Sequence, residues 1–397
     1  MQVLFVAHRA PFPPDKGDRL RAWRHLTRLS ELGPVDIVAQ ADDEASARVA
    51  REGLAKICRE VHVHTRRRLP ALGQVGWALV SGASLTVAWL RDARVERSLR
   101  ELGARHDYDL GWAFSSGTGP WIERARVPRR IMDLCDLDAL KWSALAHDQA
   151  GPRGWVYGLE ARRLLPLELG LSERCELSLL STQQEVSDLC ERTTPRRIEV
   201  LTNGVPWEQS SELPAPSEAP PVIGFLGQMD YPPNVAAARE LALQVLPRVR
   251  ERVPDAQLAI LGRQPTAELR ALASPGVIDV TGEVDSVPAA LGGLRAFCAP
   301  LDRGRGIPNK ILESMAAGRP TLVSSWSAKA LQGVPGRDYL VADGAEGRAE
   351  LLAELLADPT RCDELGAAGR AYVRTHHDWN VVLDRVQHLV EEVTSGA

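Results

Sequence analysis

Lysine is scarce in this chain: Lys16, Lys56, Lys141, Lys310 and Lys329 stand among 48 basic residues that are otherwise arginine. Glycine-rich phosphate loops are missing. No GxGxxG follows the first apolar run and no GxxxxGK[ST] occurs anywhere, which disfavours a dinucleotide oxidoreductase and removes P-loop chemistry. The six cysteines (Cys58, Cys135, Cys175, Cys190, Cys298, Cys362) form no CxxC pair, and no Asp/His cluster has metal spacing, so no metal is expected. In a chain of this length such cysteines read as reduced small hydrophobes in a reducing compartment. The start, MQVLFVAHRAP, has no basic region followed by an apolar stretch and a cleavage site, so the expectation is cytoplasmic. A formal net charge of −4 gives no reason to expect a nucleic-acid partner.

What is present is a soluble globular composition, 44% hydrophobic and 25% charged over 397 residues, enough for two or three domains. Charge is uneven: residues 1–206 lean basic and 207–397 lean acidic, which could orient the molecule near an anionic surface. Leu69–Leu90 runs 22 residues without a charge, behind Arg66, Arg67 and Arg68. Its proline, three glycines and SGAS interruption fit two short helices, the second running from about Ser84 to Gly103, better than a membrane span. Contact with a membrane surface is the reading it leaves open.

Short apolar runs alternate with helical patterns from the first residues onward. VLFVA (Val3–Ala7) reads as a strand buried on both faces, and a helix from about Asp18 turns Leu20, Trp23 and Leu26 inward and Arg19, Arg21, Arg24 and Arg28 outward. Strand–helix–strand within forty residues implies a right-handed βαβ unit on a parallel sheet. His62 and His64 on VHVHT are expected to be structural, with at most one facing inward. Residues 208–221 (EQSSELPAPSEAPP) read as an exposed linker. Alternation then restarts with VIGFLG, QLAILG, VIDVTG and AFCAP, so the chain divides into domains 1–207 and 222–378. Gly227, Gly262 and Gly282 end three successive strands there, where open α/β sheets take ligands against the backbone.

The most informative stretch is RGRGIPNKILESMAAGRPTLV, Arg303–Val323. Pro308 suits a first helical turn and Gly318 a helix stop, which puts backbone N–H groups and the positive dipole end at Gly306–Lys310. Arg303, Arg305 and Lys310 crowd that end, and Glu313 lies one turn on, on the face of Lys310. Such an array suits a diphosphate followed by a ribose diol; a capped helix with a Lys–Glu surface pair is the plainer alternative.

These segments, together with HRAPFPPDKGDRLRAWRHL, MDLCDLDALKW, VLTNGV and GQMDYPPN, resemble the GT-B nucleotide-sugar glycosyltransferases of glycosyltransferase family 4. Within that family they look most like the bacterial sugar transferases of exopolysaccharide and PEP-CTERM gene clusters. The resemblance implies two Rossmann-like parallel α/β domains facing across a cleft, with helix 379–397 crossing back onto the first. It implies transfer of a sugar from a nucleoside diphosphate sugar, held by the second domain, to an acceptor held by the first. The acceptor would be a sugar, a lipid-linked molecule or a small molecule, and no cofactor is implied. By the same resemblance Glu313 binds the ribose hydroxyls, and Lys310 with Ile307, Pro308 and Asn309 holds the diphosphate. Gly17 and Asp18 close over the diphosphate or sugar, and Gly227, Arg263, Gly282 and Val284 frame the nucleotide. Asp133 falls near the reacting carbon, and Asp133, Asp18 and His8 are the candidates for a general base.

The chain departs from the family where an acidic residue is expected eight positions before Glu313; Arg305 stands there. Two basic diphosphate ligands are replaced by Gln228 and Asn234. Arg303, Arg305 and Lys310 are therefore expected to neutralise the leaving diphosphate without a metal. Two other readings remain: a nucleotide-sugar epimerase, which would need no acceptor, and a non-catalytic nucleotide-sugar-binding protein, which would bind without turnover.

Overall fold

Five consecutive apolar residues with no room for water on either face make β1, Val3–Ala7, an interior strand of the first sheet. In this computed structural model the described residues are 1–66, 68–149, 151–207, 213–302 and 306–396. They form two parallel-sheet α/β Rossmann-like units, Met1–Thr202 with Val382–Ala397, and Asn203–Val381.

The first unit carries β1, β2 (Val35–Ala41), β3 (Glu60–Thr65), β4 (Leu110–Phe114), β5 (Arg130–Cys135), β6 (Leu177–Leu180) and β7 (Ile198–Val200), in the order β3-β2-β1-β4-β5-β6-β7. Val3 pairs with Val35 on one side and Leu110 on the other, all parallel, so the order reverses between β1 and β4. The second unit carries β8 (Val222–Leu226), β9 (Gln257–Leu261), β10 (Ile278–Gly282), β11 (Ala296–Ala299), β12 (Thr321–Val323) and β13 (Leu340–Val341), in the order β10-β9-β8-β11-β12-β13. Its reversal lies between β8 and β11. In both sheets a crevice opens at the carboxyl ends of the strands beside the reversal.

Several expectations need correction. Arg21 is buried rather than exposed, because Asp133 lies beneath the helix Gly17–Leu32 and pairs with it. The segment from Ser84 is not one helix: Leu85–Leu90 ends, and Asp92 caps a separate helix, Ala93–Arg105, by accepting from Arg94 N. His62 and His64 share one face, as residues two apart on a strand must, and both reach Ser98 Oγ, at 3.1 and 2.9 Å. Within the expected linker, 208–212 lie outside the described residues, but Leu213–Pro221 is not a free tether. Pro216 and Ala219 are buried, Ser217 Oγ donates to Asp363 Oδ2 at 2.6 Å, and the Pro214 carbonyl accepts from Arg319. Four cysteines are buried and Cys135 half-buried, while Cys190 is exposed. From Val382 onward the last helix, Trp379–Ser395, belongs to the first unit, where Arg385 Nη2 donates to Glu199 Oε2 at 3.1 Å.

Candidate functional site

In the second unit, parallel register brings the strand-end glycines together. Gly227 N donates to Leu261 O and Gly262 N to Gly282 O, each at 2.9 Å. Gly262 has φ +134°, and a Cβ there would stand 1.8 Å from the Gly227 carbonyl oxygen, so only glycine permits this approach. Arg263 follows, its Nη2 3.5 Å from Gln228 Oε1. Gly282, at φ +74°, faces open space.

The helix Asn309–Ala316 starts beside this edge. Pro308 is extended and no side chain caps the helix, which leaves its first-turn amides and dipole for an anion. Ile307 is buried and anchors the loop; Asn309 Oδ1 accepts from Asn203 Nδ2 at 3.1 Å. Lys310 Nζ donates to Asn234 Oδ1 at 2.6 Å and lies 4.7 Å from the centre of the Phe225 ring. A Cβ on Gly227 would come within 2.7 Å of that ammonium, so the backbone of β8 ends against it. Burial pulls the Lys310 ammonium down to about 8, against the opposing pull of Glu313. Burial likewise raises the Glu313 carboxyl, and Lys310 works against that rise. Glu313 forms one wall of a cavity of about 310 Å³ with Val205, Pro206, Ser286, Val287 and Leu291. Val284 is half-buried, one residue before Asp285 on the same wall. An ammonium and a helix start, one turn from a carboxylate over an apolar cavity, can hold a diphosphate and the hydroxyls of an attached ribose. Arg303 and Arg305 lie outside the described residues.

The first unit holds a second cavity, of about 690 Å³, at the carboxyl ends of β1, β4 and β5. Its polar side includes His8, Arg9, Asp18, Asp136, Asp138 and Lys141. Asp18, in the first turn of the helix that Gly17 begins, accepts from Arg9 Nη1 at 2.8 Å. Burial pulls His8 down to about 4, so its imidazole is neutral at pH 7. Asp138 opens the helix Asp138–Asp148, with Ser116 Oγ at 3.4 Å and Lys141 Nζ at 4.0 Å. Burial raises its carboxyl to about 6, the range in which a carboxylate exchanges protons near neutrality. Trp89, Trp142, Val156 and Tyr157 make the apolar wall.

Asp133 is not in that cavity as an available base. It is fully buried and accepts from Arg21 Nη2 at 3.0 Å and Nε at 3.2 Å, with His25 Nδ1 at 3.1 Å. The Arg21 guanidinium and His25 outweigh burial and hold its carboxyl well below the usual range. Asp133 organises the end of β5; Asp136 and Asp138, three and five residues on, face the cavity, and of the two Asp138 has the raised carboxyl. The segment MDLCDLDALKW presents three aspartates in six positions, and a strand that ends at Cys135 decides which one is buried.

A second signal missed in the sequence is backbone strain. Ser115, Cys135 and Gln264 have φ of 73°, 65° and 58°, in the left-handed region that non-glycine residues avoid. Ser115 and Cys135 line the first-unit cavity and Gln264 adjoins Arg263. Such conformations cost on the order of 1–3 kcal/mol each and collect where ligands bind. Among the described residues, Asp36, Glu60 and His106 come close enough to share an ion. Asp36 and Glu60 lie at the amino ends of β2 and β3, His106 follows the helix Ala93–Arg105, and Asp36 is already committed to Arg59 and Tyr108.

Residues 220–358 match a family model described as glycosyl transferases group 1. The chain is 31% identical over 207 residues to a phosphatidyl-myo-inositol mannosyltransferase of Mycobacterium leprae, covering 50% of this chain and 54% of that protein. It is 29% identical over 191 residues, 42% of this chain and 49% of that protein, to a GDP-mannose-dependent monoacylated alpha-(1-6)-phosphatidylinositol monomannoside mannosyltransferase of Corynebacterium glutamicum. The chain therefore spans about half the length of the curated relatives it matches. These relatives are phosphatidylinositol mannosyltransferases, not the exopolysaccharide-associated enzymes that the motifs resemble most. Among solved structures, a sucrose-phosphate synthase of Thermosynechococcus elongatus superposes with a TM-score of 0.73 at 14% identity, over 100% of both chains. The Anabaena protein HepE, in complex with UDP and glucose, gives 0.69 at 14% identity over 99% of this chain and 100% of that one. The fold is GT-B, two Rossmann-like parallel α/β domains.

Proposed function

We propose that this chain is a hexosyltransferase that uses a nucleoside diphosphate sugar, with GDP-mannose as the donor to test first. The observation that carries the reading is the Lys310–Glu313 face at the carboxyl edge of the second sheet, over a cavity and against strand-end glycines. Lys310 and the start of the helix Asn309–Ala316 take the diphosphate, and Glu313 accepts from the ribose hydroxyls. The cavity beside Glu313 takes the base. Arg303 and Arg305 add counter-charge by sequence position, and the scheme needs no metal or cofactor. The GDP-mannose dependence of the Corynebacterium glutamicum relative supports the choice of donor, and the UDP held by HepE names the competing base.

The acceptor enters the first-unit cavity. As its oxygen bonds to the anomeric carbon, the bond from that carbon to the diphosphate breaks and the nucleoside diphosphate leaves with the electron pair. The acceptor's hydroxyl proton passes to Asp138, ionised above pH 6. The matched relatives act on phosphatidylinositol derivatives by name, which supports a lipid-linked polyol or sugar as the acceptor. Calorimetric titration with GDP, UDP, dTDP and ADP tests the reading: one nucleotide should bind clearly best, and its mannosyl or glucosyl derivative should turn over. If none of the four binds, the transferase reading fails.

A further inference from the structure

The charges around the first-unit cavity decide what it admits. Among the described residues, Asp18, Asp136, Asp138 and Glu160 line it against the cations Arg9, Arg66 and Lys141. Each of those cations already has a carboxylate. Arg9 Nη1 donates to Asp18 Oδ2 at 2.8 Å, and Lys141 Nζ stands 4.0 Å from Asp138 Oδ1. Arg66 Nη1 donates at 2.9 Å to Asp42, a carboxylate outside the lining, and its guanidinium lies 5.8 Å from the centre of the Trp89 ring. His8, kept neutral by burial, adds no charge.

The carboxylates are not all equivalent. Glu160 is spent on structure, accepting from Ser84 Oγ at 2.7 Å and from Leu85 N and Thr86 N at 2.6 and 3.0 Å. Asp136 accepts from Ser181 Oγ at 2.8 Å, a neutral donor that leaves the carboxylate its charge. Burial raises the Asp138 carboxyl to about 6, and Asp136 and Glu160 push the same way against the pull of Lys141. The field at this wall is therefore negative. The apolar wall carries a platform: the rings of Trp142 and Tyr157 have centres 5.2 Å apart and planes inclined by 33°. Rings of this kind take the C–H face of a saccharide or cyclic polyol, while carboxylates accept from the hydroxyls at its edge. A phosphate ester meets the reverse, because its charge falls beside Asp136 and Asp138 where the neighbouring cations are already committed.

We propose that this cavity accepts an uncharged saccharide or polyol ring that bears no phosphate, seated on Trp142 and Tyr157 with its hydroxyls donating to Asp136 and Asp138. The inference rests on the transferase reading and narrows its acceptor to a free polyol or the distal ring of a glycan. The inositol of a phosphatidylinositol, which carries its phosphate directly on the ring, is excluded by the same carboxylates.

The test measures binding of methyl mannoside, methyl glucoside and myo-inositol to the full chain by saturation-transfer NMR, each beside its monophosphate ester. At least one uncharged ring should bind about tenfold or more better than its ester. Trp142→Ala should weaken that ring about tenfold. Asp136→Asn should improve the ester about tenfold relative to the ring, a gain that loss of folding cannot produce. An ester that binds as well as its parent ring, a panel in which no uncharged ring binds, or unchanged discrimination in Asp136→Asn would overturn the inference. So would dioctanoylphosphatidylinositol binding better than every uncharged ring. Nucleotide titration of the same preparation keeps the two readings apart. Nucleoside diphosphate binding without ring binding refutes this inference alone, whereas ring binding with no nucleotide bound refutes the transferase.

Discussion

Replacing Lys310 by methionine tests the donor site most directly, because one atom of that side chain carries the argument. The ammonium is held by Asn234 and the face of Phe225, and burial keeps it at about 8 instead of 10.5. A charge-assisted contact to a phosphate oxygen contributes about 1.5–3 kcal/mol. Lys310→Met should therefore weaken nucleoside diphosphate binding about 10- to 150-fold at pH 7. Burial gives a second signature. In the wild type the ammonium must be protonated to bind, so affinity should fall about tenfold per pH unit above pH 8, and the variant should lose that slope. The unbound protein should respond in the opposite sense. A lysine lowered in the fold binds fewer protons there than in the unfolded chain between about pH 8 and 10.5, so its charge costs stability below pH 8 and that cost disappears as pH rises through this window. Lys310→Met should thus raise the melting temperature at pH 7 while weakening nucleotide binding. Calorimetry at pH 7 and 9 with parallel thermal melts measures both. Affinity within twofold of wild type, in a variant that melts normally, would refute the assignment.

The wild type should show an acid limb near pH 6, because the Asp138 carboxylate must be ionised to accept a proton, and Asp138→Asn should remove that limb and lower the transfer rate about 100-fold or more; nucleotide affinity should not change. Arg21→Met should destabilise the first unit by about 3–5 kcal/mol in urea, since it leaves Asp133 charged and buried with no guanidinium, beside His25 and the Cys135 amide. The Asp133 pairing stabilises above the ordinary carboxylate range and is lost on acidification, so the wild type's advantage over Arg21→Met should shrink as pH falls below about 4. Gly262→Ala should abolish nucleotide binding and lower the melting temperature, since its Cβ would stand 1.8 Å from the Gly227 carbonyl oxygen in a conformation only glycine favours.

Much of this molecule is legible in its sequence because the signals are local. A strand buried on both faces must be a short apolar run, which is why Val3–Ala7 and Val222–Leu226 can be read directly. The chemistry of the helix Asn309–Ala316 is equally local: Pro308, Lys310, Glu313 and Gly318 lie within eleven residues, and helical geometry alone puts Lys310 and Glu313 on one face. Strand-end glycines announce an edge where backbone and ligand meet, although only the parallel register shows that Gly262 must pass the Gly227 carbonyl.

Tertiary structure decided what depends on partners far along the chain. Arg21 and Asp133 are 112 residues apart, and their pairing turns an arginine that periodicity puts outside into a core residue and a candidate base into a scaffold. The same folding step leaves Asp138 facing the cavity, where its raised carboxyl comes from burial that no local pattern encodes. Asn234, where the resemblance expects a basic residue, gains its meaning only beside Lys310, 76 residues away. Sequence determines which groups a segment can offer. Desolvation and pairing, which arise only when distant segments pack, determine which of those groups keep their charge, which are spent on structure, and which face a ligand.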